Sequence, residues 1–303
     1  MAVLVATDDG YRIISSSGDV RRALDGHRVE AFTPGPDGTW IAIVDEREVW
    51  QHGADGEWTP LATADAQLAC LVTLDDVVYA GAVGPQVYRF VDGALAPVAD
   101  LDAVAGRDEW HRVGWDLHVR SMTKTVDGAL LANVHVGGII RSTDQGTSWE
   151  PTIDVDADVH EVRAHPTRAE IVVAAAAVGF CVSRDGGRTW AVLDDGLHAT
   201  YARAVAFAGD DVLVSISDGP FATRSAIYRV RDIVDPAGTS HPERVGDGLP
   251  EWLDGNVDTR GLAASDTTLA LADGSGSVWI RKGGDGWTNA ARDLSRVNAL
   301  AIV

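Results

Sequence analysis

The chain has 303 residues, of which 46% are hydrophobic and 23% are charged. This apolar fraction is enough for a sizeable core and argues against intrinsic disorder. The sequence has 45 Asp and Glu against 25 Lys and Arg, which gives a formal net charge of −20. Such an acidic chain is not expected to bind nucleic acid or an anionic membrane, because basic surfaces bind both.

The N-terminal residues predict three short strands, at 3–7, 11–15 and 19–24. Their apolar run is too short for a signal peptide, and no stretch of about 18 apolar residues predicts a transmembrane helix. The two cysteines, Cys70 and Cys181, form neither a disulfide framework nor a CxxC metal site, and we expect buried core thiols. These features predict a soluble, cytoplasmic protein.

A short strand recurs along the chain at intervals of roughly 40 residues, which is the spacing of four-stranded repeats. Its seven copies begin near residues 27, 67, 118, 161, 201, 258 and 296. The last copy has no further strands after it, whereas the N-terminus begins with what would be a second strand. We therefore expect the C-terminal strand to complete the first repeat and to leave no free sheet edge.

Two octapeptides fit the pattern S-x-D-x-G-x-[ST]-W. They are Ser142–Trp149 and Ser183–Trp190, which begin 41 residues apart. Each follows an apolar run and precedes another short strand. The pattern suits a hairpin, because Asp accepts hydrogen bonds from turn amides and Gly adopts positive φ.

These octapeptides resemble the Asp boxes of BNR/Asp-box repeat proteins in the sialidase-like superfamily. The resemblance implies a β-propeller whose boxes are structural and lie on the face away from the site. The predicted fold is all-β, with seven four-stranded antiparallel blades in a single domain covering 1–303. Blade one would come from 1–26 plus 294–303, and blades two to seven from 27–293.

The candidate site follows from strand alternation. If the strands of a blade are A to D from axis to rim, the D–A and B–C connections share one face, opposite the boxes. On the inner strands, four consecutive blades align Arg120, Arg163, Arg203 and Arg260. Two residues earlier, and so on the same side of a strand, are His118, Glu161, Tyr201 and Asp258. These side chains would line one funnel; alternatively, each Arg pairs with a carboxylate of the neighbouring blade.

Four histidines are expected on the same face. His118, His160 and His198 lie at or just before inner strands, and His135 ends a second strand. Neutral imidazoles in a cluster are typical ligands of a divalent metal ion, with Glu161 as a candidate oxygen ligand. The alternative is that one imidazole acts as a general base.

Two connections are unusually long for a compact domain, and such loops are usually functional or disordered. The first, 100–117, contains Trp110 and Trp115, which would form an aromatic wall for a sugar or ring. The second, 231–256, contains Trp252. In the same blade, Asp218 opens the predicted B–C loop.

The family resemblance also suggests chemistry. Sialidases of the superfamily clamp a carboxylate with three Arg, which Arg163, Arg203 and Arg260 would match, and use a Tyr–Glu nucleophile, which Tyr201 and Glu161 would match. The early Arg-Ile-Pro signature of sialidases is absent here, and a histidine cluster is foreign to them. True sialidase activity is therefore not expected. Other members of the superfamily, such as photosystem-assembly factors, are non-catalytic scaffolds.

We therefore expect an enzyme that acts on a small anionic molecule, carboxylate- or sugar-acid-like, by hydrolysis or lyase-type elimination. The catalytic candidates are His118, Glu161, Tyr201 and Asp258. The substrate-binding candidates are Arg120, Arg163, Arg203, Arg260, Trp110 and Trp115. The candidate ligands of a divalent metal ion are His118, His135, His160 and His198. The alternative is a scaffold whose partner is another protein and whose polar ring only closes the propeller.

Overall fold

Short apolar runs separated by Gly and Asp turns produce an all-β fold. The computed structural model describes residues 2–15, 18–53, 56–98, 101–110, 117–235 and 241–303. Helix within these ranges is limited to four 3-10 turns, Pro36–Gly38, Leu101–Ala103, Arg107–Glu109 and Val155–Ala157. None of the helices in the described ranges has the length and apolar character needed to cross a membrane.

The strands form seven antiparallel sheets, the blades of a seven-bladed β-propeller, as the sequence predicts. Blade 1 consists of β1 (Ala2–Thr7), β2 (Gly10–Ser15), β3 (Val20–Ala23) and the C-terminal β29 (Val297–Ile302). Blade 2 consists of β4 (Val29–Pro34), β5 (Trp40–Val44), β6 (Glu48–His52) and β7 (Trp58–Thr63). Blade 3 consists of β8 (Leu68–Leu74), β9 (Val77–Ala82), β10 (Gln86–Val91) and β11 (Ala94–Pro97).

The remaining blades follow in chain order. Blade 4 consists of β12 (Val119–Lys124), β13 (Leu130–Val134), β14 (Gly138–Ser142) and β15 (Glu150–Ile153). Blade 5 consists of β16 (Val159–Ala164), β17 (Val172–Ala176), β18 (Gly179–Ser183) and β19 (Ala191–Leu193). Blade 6 consists of β20 (Tyr201–Ala208), β21 (Asp211–Ser217), β22 (Arg224–Val230), β23 (Pro242–Arg244) and a short fifth strand, β24 (Leu253–Asp254). Blade 7 consists of β25 (Leu262–Ala264), β26 (Thr268–Ala272), β27 (Val278–Lys282) and β28 (Thr288–Ala291).

The C-terminal strand closes blade 1, as predicted. β29 pairs antiparallel with β1, and Leu300 lies opposite Val5. At the end of the pair, the backbone N–H of Ala2 donates to the carbonyl of Val303 at 2.7 Å, and that of Val303 donates to Ala2 at 2.9 Å. Both ends of the chain are thereby held in one sheet.

Local turn chemistry explains the hairpins. Asp75 and Asp76 join β8 to β9, and Asp92 and Gly93 join β10 to β11. All four have positive φ, at 48°, 62°, 50° and 81°. Positive φ at both central positions matches the right-handed twist of the flanking strands, and Asp and Gly adopt it more readily than other residues.

The chain divides into two compact units, and the strands of blade 5 are shared between them. The first unit comprises Met1–Gly26, Val173–Val182 and Ala191–Val303, and the second comprises His27–Val172 and Ser183–Trp190. Within the first unit, apolar clusters lie between blades 6 and 7 and between blades 7 and 1. Within the second, they lie between blades 2 and 3 and between blades 3 and 4. Each fully buried aliphatic side chain in these layers contributes about 1.5–3 kcal/mol.

The inner strands of five blades each contain a β-bulge near the start of the strand. The alignment of the repeated strands with one another did not predict these bulges. The pairing shifts by one residue at Asn298, Glu30, Ala69, Arg120 and Arg203. Alignment of the repeated strands by sequence places Cys70 at the position of these arginines, but the bulge of blade 3 lies one residue earlier, at Ala69. A bulge also breaks the two-residue alternation, so His118 and Arg120 do not belong to one uninterrupted strand face.

The two octapeptides form hairpin turns with matching hydrogen bonds. Asp144 accepts the backbone N–H of Ser148 at 2.9 Å and its hydroxyl at 2.6 Å, and Asp185 accepts the same pair from Thr189 at 2.9 and 2.6 Å. The bonds from Ser148 lower the pKa of Asp144 to about 2. Burial raises the pKa of Asp185, but the bonds from Thr189 outweigh it and bring the pKa to about 2.

The serine and glycine of each octapeptide complete the turn. The hydroxyl of Ser142 accepts the N–H of Gly146 at 2.9 Å, and that of Ser183 accepts the N–H of Gly187 at 2.8 Å. Both glycines have φ of +84°, which other residues adopt only with strain. The pattern S-x-D-x-G therefore specifies this turn in both blades.

Candidate functional site

Two predicted site histidines meet in blade 4. His118 precedes β12 and forms an isolated bridge with Val83, while His135 follows β13 directly. The backbone N–H of His135 donates to the carbonyl of His118 at 3.0 Å. The centroids of their rings are 5.2 Å apart. The pairing of first and second strands therefore brings a D–A loop and a B–C turn together, as the sequence predicts.

Asp158 joins these histidines to a third. It follows the 3-10 turn Val155–Ala157 in a left-handed conformation, with φ of 46°, immediately before β16. Its Oδ1 lies 3.9 Å from Nε2 of His135, and its Oδ2 lies 3.5 Å from Nε2 of His160. His160 is fully buried. We call His118, His135, Asp158 and His160 the histidine cluster.

Sequence reasoning missed Asp158. With 35 Asp in the chain, an Asp two residues before a histidine was no distinctive signal. A usable signal was its position at the end of a D–A loop, where the backbone enters the first strand of the next blade.

The charges in the cluster are set by burial and by the neighbours. Burial, with the charges of Arg120 and His118, lowers the pKa of His135 from 6.5 to about 4, against the opposing charge of Asp158. Burial would raise the pKa of Asp158, but the contact with His160 at 3.5 Å and the nearby positive groups lower it. At neutral pH, His135 is therefore a neutral imidazole beside a carboxylate. Because the native pKa of His135 lies below its ordinary value, its contribution to stability is lost as pH falls from 6.5 towards 4.

A neutral imidazole next to a carboxylate can accept and return a proton. Nδ1 of His135 is buried and has no hydrogen-bond partner among the described residues. In the same part of the chain, no group of three or more His, Cys, Asp or Glu side chains is arranged to hold a metal ion. The cluster as it stands suits acid–base chemistry better than metal ligation.

Arg120 is the predicted arginine associated with this cluster. It is the extra residue of the bulge in β12 and is half-buried. Its positive charge contributes to the lowered pKa values of both His135 and Asp158. Bulges frequently redirect a side chain next to a functional site.

Both predicted catalytic carboxylates, Glu161 and Asp258, form ion pairs with predicted substrate-binding arginines. Arg163 Nη2 lies 2.7 Å from Oε1 of Glu161, and Glu161 is fully buried. Arg203 Nη2 lies 2.8 Å from Oδ1 of Asp258. The expectation that Glu161 lines an open funnel is wrong, because its side chain is fully buried and forms an ion pair with Arg163. Arg203 pairs with a carboxylate that precedes the next blade, as the alternative expects, whereas Arg163 pairs with a carboxylate of its own strand.

The alignment of blade 7 needs a second correction. Asp258 and Arg260 do not lie on its first strand, which begins at Leu262. They lie in a turn closed by a 2.7 Å hydrogen bond from the N–H of Gly261 to the carbonyl of Asp258, in which Arg260 has φ of 62°. Tyr201 does begin β20, and the guanidinium of Arg203 lies 5.8 Å from its ring centroid.

His198, the fourth predicted metal ligand, lies in the first unit among aromatic side chains. Its Nδ1 is 3.0 Å from the hydroxyl of Tyr228, and its ring contacts Trp252 edge-on at 5.0 Å between centroids. Burial lowers the pKa of His198, and the charge of Asp218 opposes this shift. The positive charges of Arg244 and Arg224 lower the pKa further. The surroundings of His198 are formed by Tyr228 and Trp252, which lie 30 residues or more away in the sequence.

A cavity of about 650 Å³ lies in the second unit. Its lining includes Arg47, Gln67, Val83, Arg107, Trp110 and Leu117. Val83 pairs with His118, and Leu117 directly precedes it, so the cavity borders the backbone that carries this histidine. The guanidinium of Arg107 stacks 4.7 Å above Trp110.

Trp110 also supports the turn that carries His135. A Cβ added to Gly137 would lie 3.0 Å from Cδ2 of Trp110, so the indole packs directly on this glycine. Trp110 is 7% exposed and borders the cavity, where the sequence predicts an aromatic wall. The prediction for Trp115 falls outside the described residues.

No protein-family model and no curated protein matches the sequence. Solved structures with similar folds include virginiamycin B lyase from Staphylococcus aureus, with 11% identity over 86% of this chain and 83% of that chain and a TM-score of 0.62. YCF48 bound to D1 peptide has 12% identity over 93% and 88%, with a TM-score of 0.66. The GH74 enzyme of Niastella koreensis has 15% identity over 96% of this chain but 47% of that chain, with a TM-score of 0.61. At these identities, the likeness shows the fold alone.

Proposed function

We propose that the protein is an enzyme that acts on a small carboxylate- or sugar-acid-like molecule at the histidine cluster. The observation that carries this proposal is the half-buried, neutral His135, with a pKa of about 4, whose Nε2 lies 3.9 Å from the ionised Asp158. A neutral imidazole is ready to take a proton at neutral pH. Once protonated, it is a strong acid that returns the proton readily, as hydrolysis or lyase-type elimination requires.

The other residues of the cluster have distinct roles in this proposal. Asp158, whose Oδ1 lies 3.9 Å from Nε2 of His135, stabilises the imidazolium by its negative charge when the imidazolium forms. His160, fully buried, holds the other oxygen of Asp158 at 3.5 Å. His118, with its ring centroid 5.2 Å from that of His135, is the second group able to carry a proton.

Arg120 supplies the recognition of the anion. A guanidinium binds a carboxylate through two parallel hydrogen bonds, which fixes its orientation as well as its position. The cavity that borders His118 would take the remainder of the substrate. Its Arg47, Arg107 and Trp110 suit a planar or ring-shaped molecule with a second negative group.

A divalent metal ion stays a prediction from the sequence. The described donors of the cluster do not form a group that could hold one, so no step is assigned to it. The fold likeness to a lyase and to a glycoside hydrolase is consistent with an enzyme. The proposed reaction class rests on His135 and Asp158.

We further infer that the chain belongs to the BNR/Asp-box superfamily. The support is the matching hydrogen bonding around Asp144 and Asp185 in two octapeptides 41 residues apart. In that superfamily, the boxes are structural, which agrees with the absence of these two residues from the proposed site.

A non-catalytic scaffold is the second candidate function. YCF48, of similar fold, was solved with a bound peptide, and this chain has a strongly exposed aromatic residue, Phe221, which is 84% exposed. A scaffold would bind a partner protein and would turn over no small carboxylate, sugar acid or phosphate ester.

The binding step is tested by thermal unfolding in the presence of a panel of carboxylates, sugar acids and phosphate esters. A true ligand at about 100 times its Kd stabilises the native state by about 2.7 kcal/mol. We expect one ligand class to raise Tm in the wild type and in Arg22→Ala, a control at an exposed position of β3. Arg120→Ala should lose the response. If no member of the panel raises Tm, or if Arg120→Ala responds like the wild type, the proposed site is wrong.

A further inference from the structure

The outer edge of blade 6 has an unusual construction. β22 pairs with β23 at Tyr228–Val230 and with the separate β24 at Arg224 and Ser225. The chain between these two strands leaves the sheet and returns at Trp252. There the guanidinium carbons of Arg224 and Arg244 both lie 4.1 Å from the ring centroid of Trp252. We call these three residues the arginine–tryptophan stack.

Several contacts hold the stack in place. Leu253, next to Trp252, is 2% exposed and anchors β24. The guanidinium of Arg244 donates to the carbonyl of Glu251. The ring of His198 contacts the edge of Trp252 and is itself bonded to the hydroxyl of Tyr228. The two arginines are therefore presented in a fixed geometry, so that a ligand would not have to order them.

The stack concentrates positive charge in an acidic protein. Two guanidinium groups on one indole repel each other as like charges, while each is attracted by the ring. Asp218 lies 3.7 Å from Arg224. Arg244 contacts a carbonyl and an indole, neither of which carries a formal charge. Among the residues that the structure describes, no ion pair of Arg244 with a carboxylate is seen, and an anion bound at the exposed edges of the two guanidinium groups would offset their repulsion.

An exposed aromatic side chain lies three residues before Arg224 of the stack. Phe221, at 84% exposure the most exposed of the large hydrophobic side chains described, belongs to the loop that ends at Arg224. Asn256 holds this loop by donating its amide to the carbonyl of Pro220 at 3.1 Å. Tryptophan and arginine are enriched among the residues that dominate binding energy at the centres of protein interfaces.

We propose that Phe221, Arg224, Arg244 and Trp252 bind an acidic segment of a partner protein. The carboxylates of the segment pair with the two guanidinium groups, and one apolar side chain covers Phe221. The inference goes beyond the enzymatic function proposed above. It uses no residue of the histidine cluster, so either proposal can fail while the other stands.

The test is fluorescence anisotropy with a labelled peptide of sequence Glu-Glu-Leu-Leu-Glu-Glu, compared with the same peptide carrying Gln in place of Glu. We expect the acidic peptide to bind the wild type and to be weakened by salt, because the contacts are exposed charges. The double variant Arg224→Gln/Arg244→Gln should bind at least about tenfold more weakly. Arg231→Gln, a control at an arginine of the same blade that pairs with Glu243 and is 60% exposed, should bind like the wild type.

A further variant separates the apolar contact from the charges. Phe221→Ser should weaken the binding of the Leu-containing peptide and leave an all-Glu peptide of the same length unaffected. Circular dichroism and Tm establish that each variant is folded. Equal binding of the acidic and Gln peptides, or undiminished binding by the double variant, would overturn the proposal.

Discussion

Replacing His135 with alanine is expected to lower kcat for the substrate at least about 100-fold, because a positioned general base contributes about 10²–10⁴. KM should change less, since Arg120 and the cavity remain to bind the anion. The measurement is steady-state kinetics on the molecule that stabilises the wild type in the thermal screen.

His27→Ala is the matched control for this prediction. His27 is another histidine near the start of a blade, but its side chain is 42% exposed and its Nδ1 lies 2.7 Å from Asp45. Its replacement should leave kcat unchanged. Turnover at the wild-type rate by folded His135→Ala protein would remove this residue from the mechanism.

Arg163→Met is expected to destabilise the native state by about 3 kcal/mol, because it removes the cation beside a fully buried carboxylate. The estimate is at the low end of the range for buried pairs, since the side chain of Arg163 is itself 37% exposed. Urea unfolding followed by tryptophan fluorescence measures the difference, provided that the m-value is unchanged.

Neutralising the carboxylate as well should recover part of this loss. Glu161→Gln/Arg163→Met removes the buried charge, so the double variant should be more stable than Arg163→Met alone. Arg231→Met, at an exposed ion pair, should cost less than about 1 kcal/mol. If Arg163→Met cost no more than Arg231→Met, the pair would not be the structural element described here.

Much of the fold could be predicted because its signals are local. The first three strands predicted at 3–7, 11–15 and 19–24 are observed at Ala2–Thr7, Gly10–Ser15 and Val20–Ala23. The octapeptide turns depend on residues within each turn, so the pattern alone specifies them. The closure by β29 could be predicted by counting strands. The C-terminus supplies a first strand without a second, and the N-terminus supplies a second strand without a first.

The registers of the inner strands could not be predicted in the same way. The bulge at Arg120 is fixed by pairing with β13, and counting by two through it shifts a side chain by one position. In blade 7, Asp258 and Gly261 occupy the first and fourth positions of a turn, where Asp and Gly are typical of type I, although the positive φ of Arg260 departs from that type. The alignment of Arg260 with the other arginines hid this signal.

The part of the site that depends on neighbouring strands could be predicted, and the part that depends on the next blade could not. His118 and His135 are brought together by the hairpin of β12 and β13, so strand order alone places them side by side. Asp158 enters from the next blade, and its contacts depend on how the backbone turns before β16. Tertiary packing buries Glu161 completely, and the polar pattern around this residue gave no sign of that burial.

The central claim is that His135 is a neutral imidazole at working pH, and NMR titration of the histidine ring nitrogens tests it most directly. The His135→Gln spectrum assigns the signal. The titration runs from about pH 8 to about pH 5.5, where an ordinary histidine is mostly protonated and the protein is still above its pI of 4.6. With a pKa of about 4, His135 should keep the shifts of a neutral ring throughout. A titration midpoint near 6.5 would contradict the account.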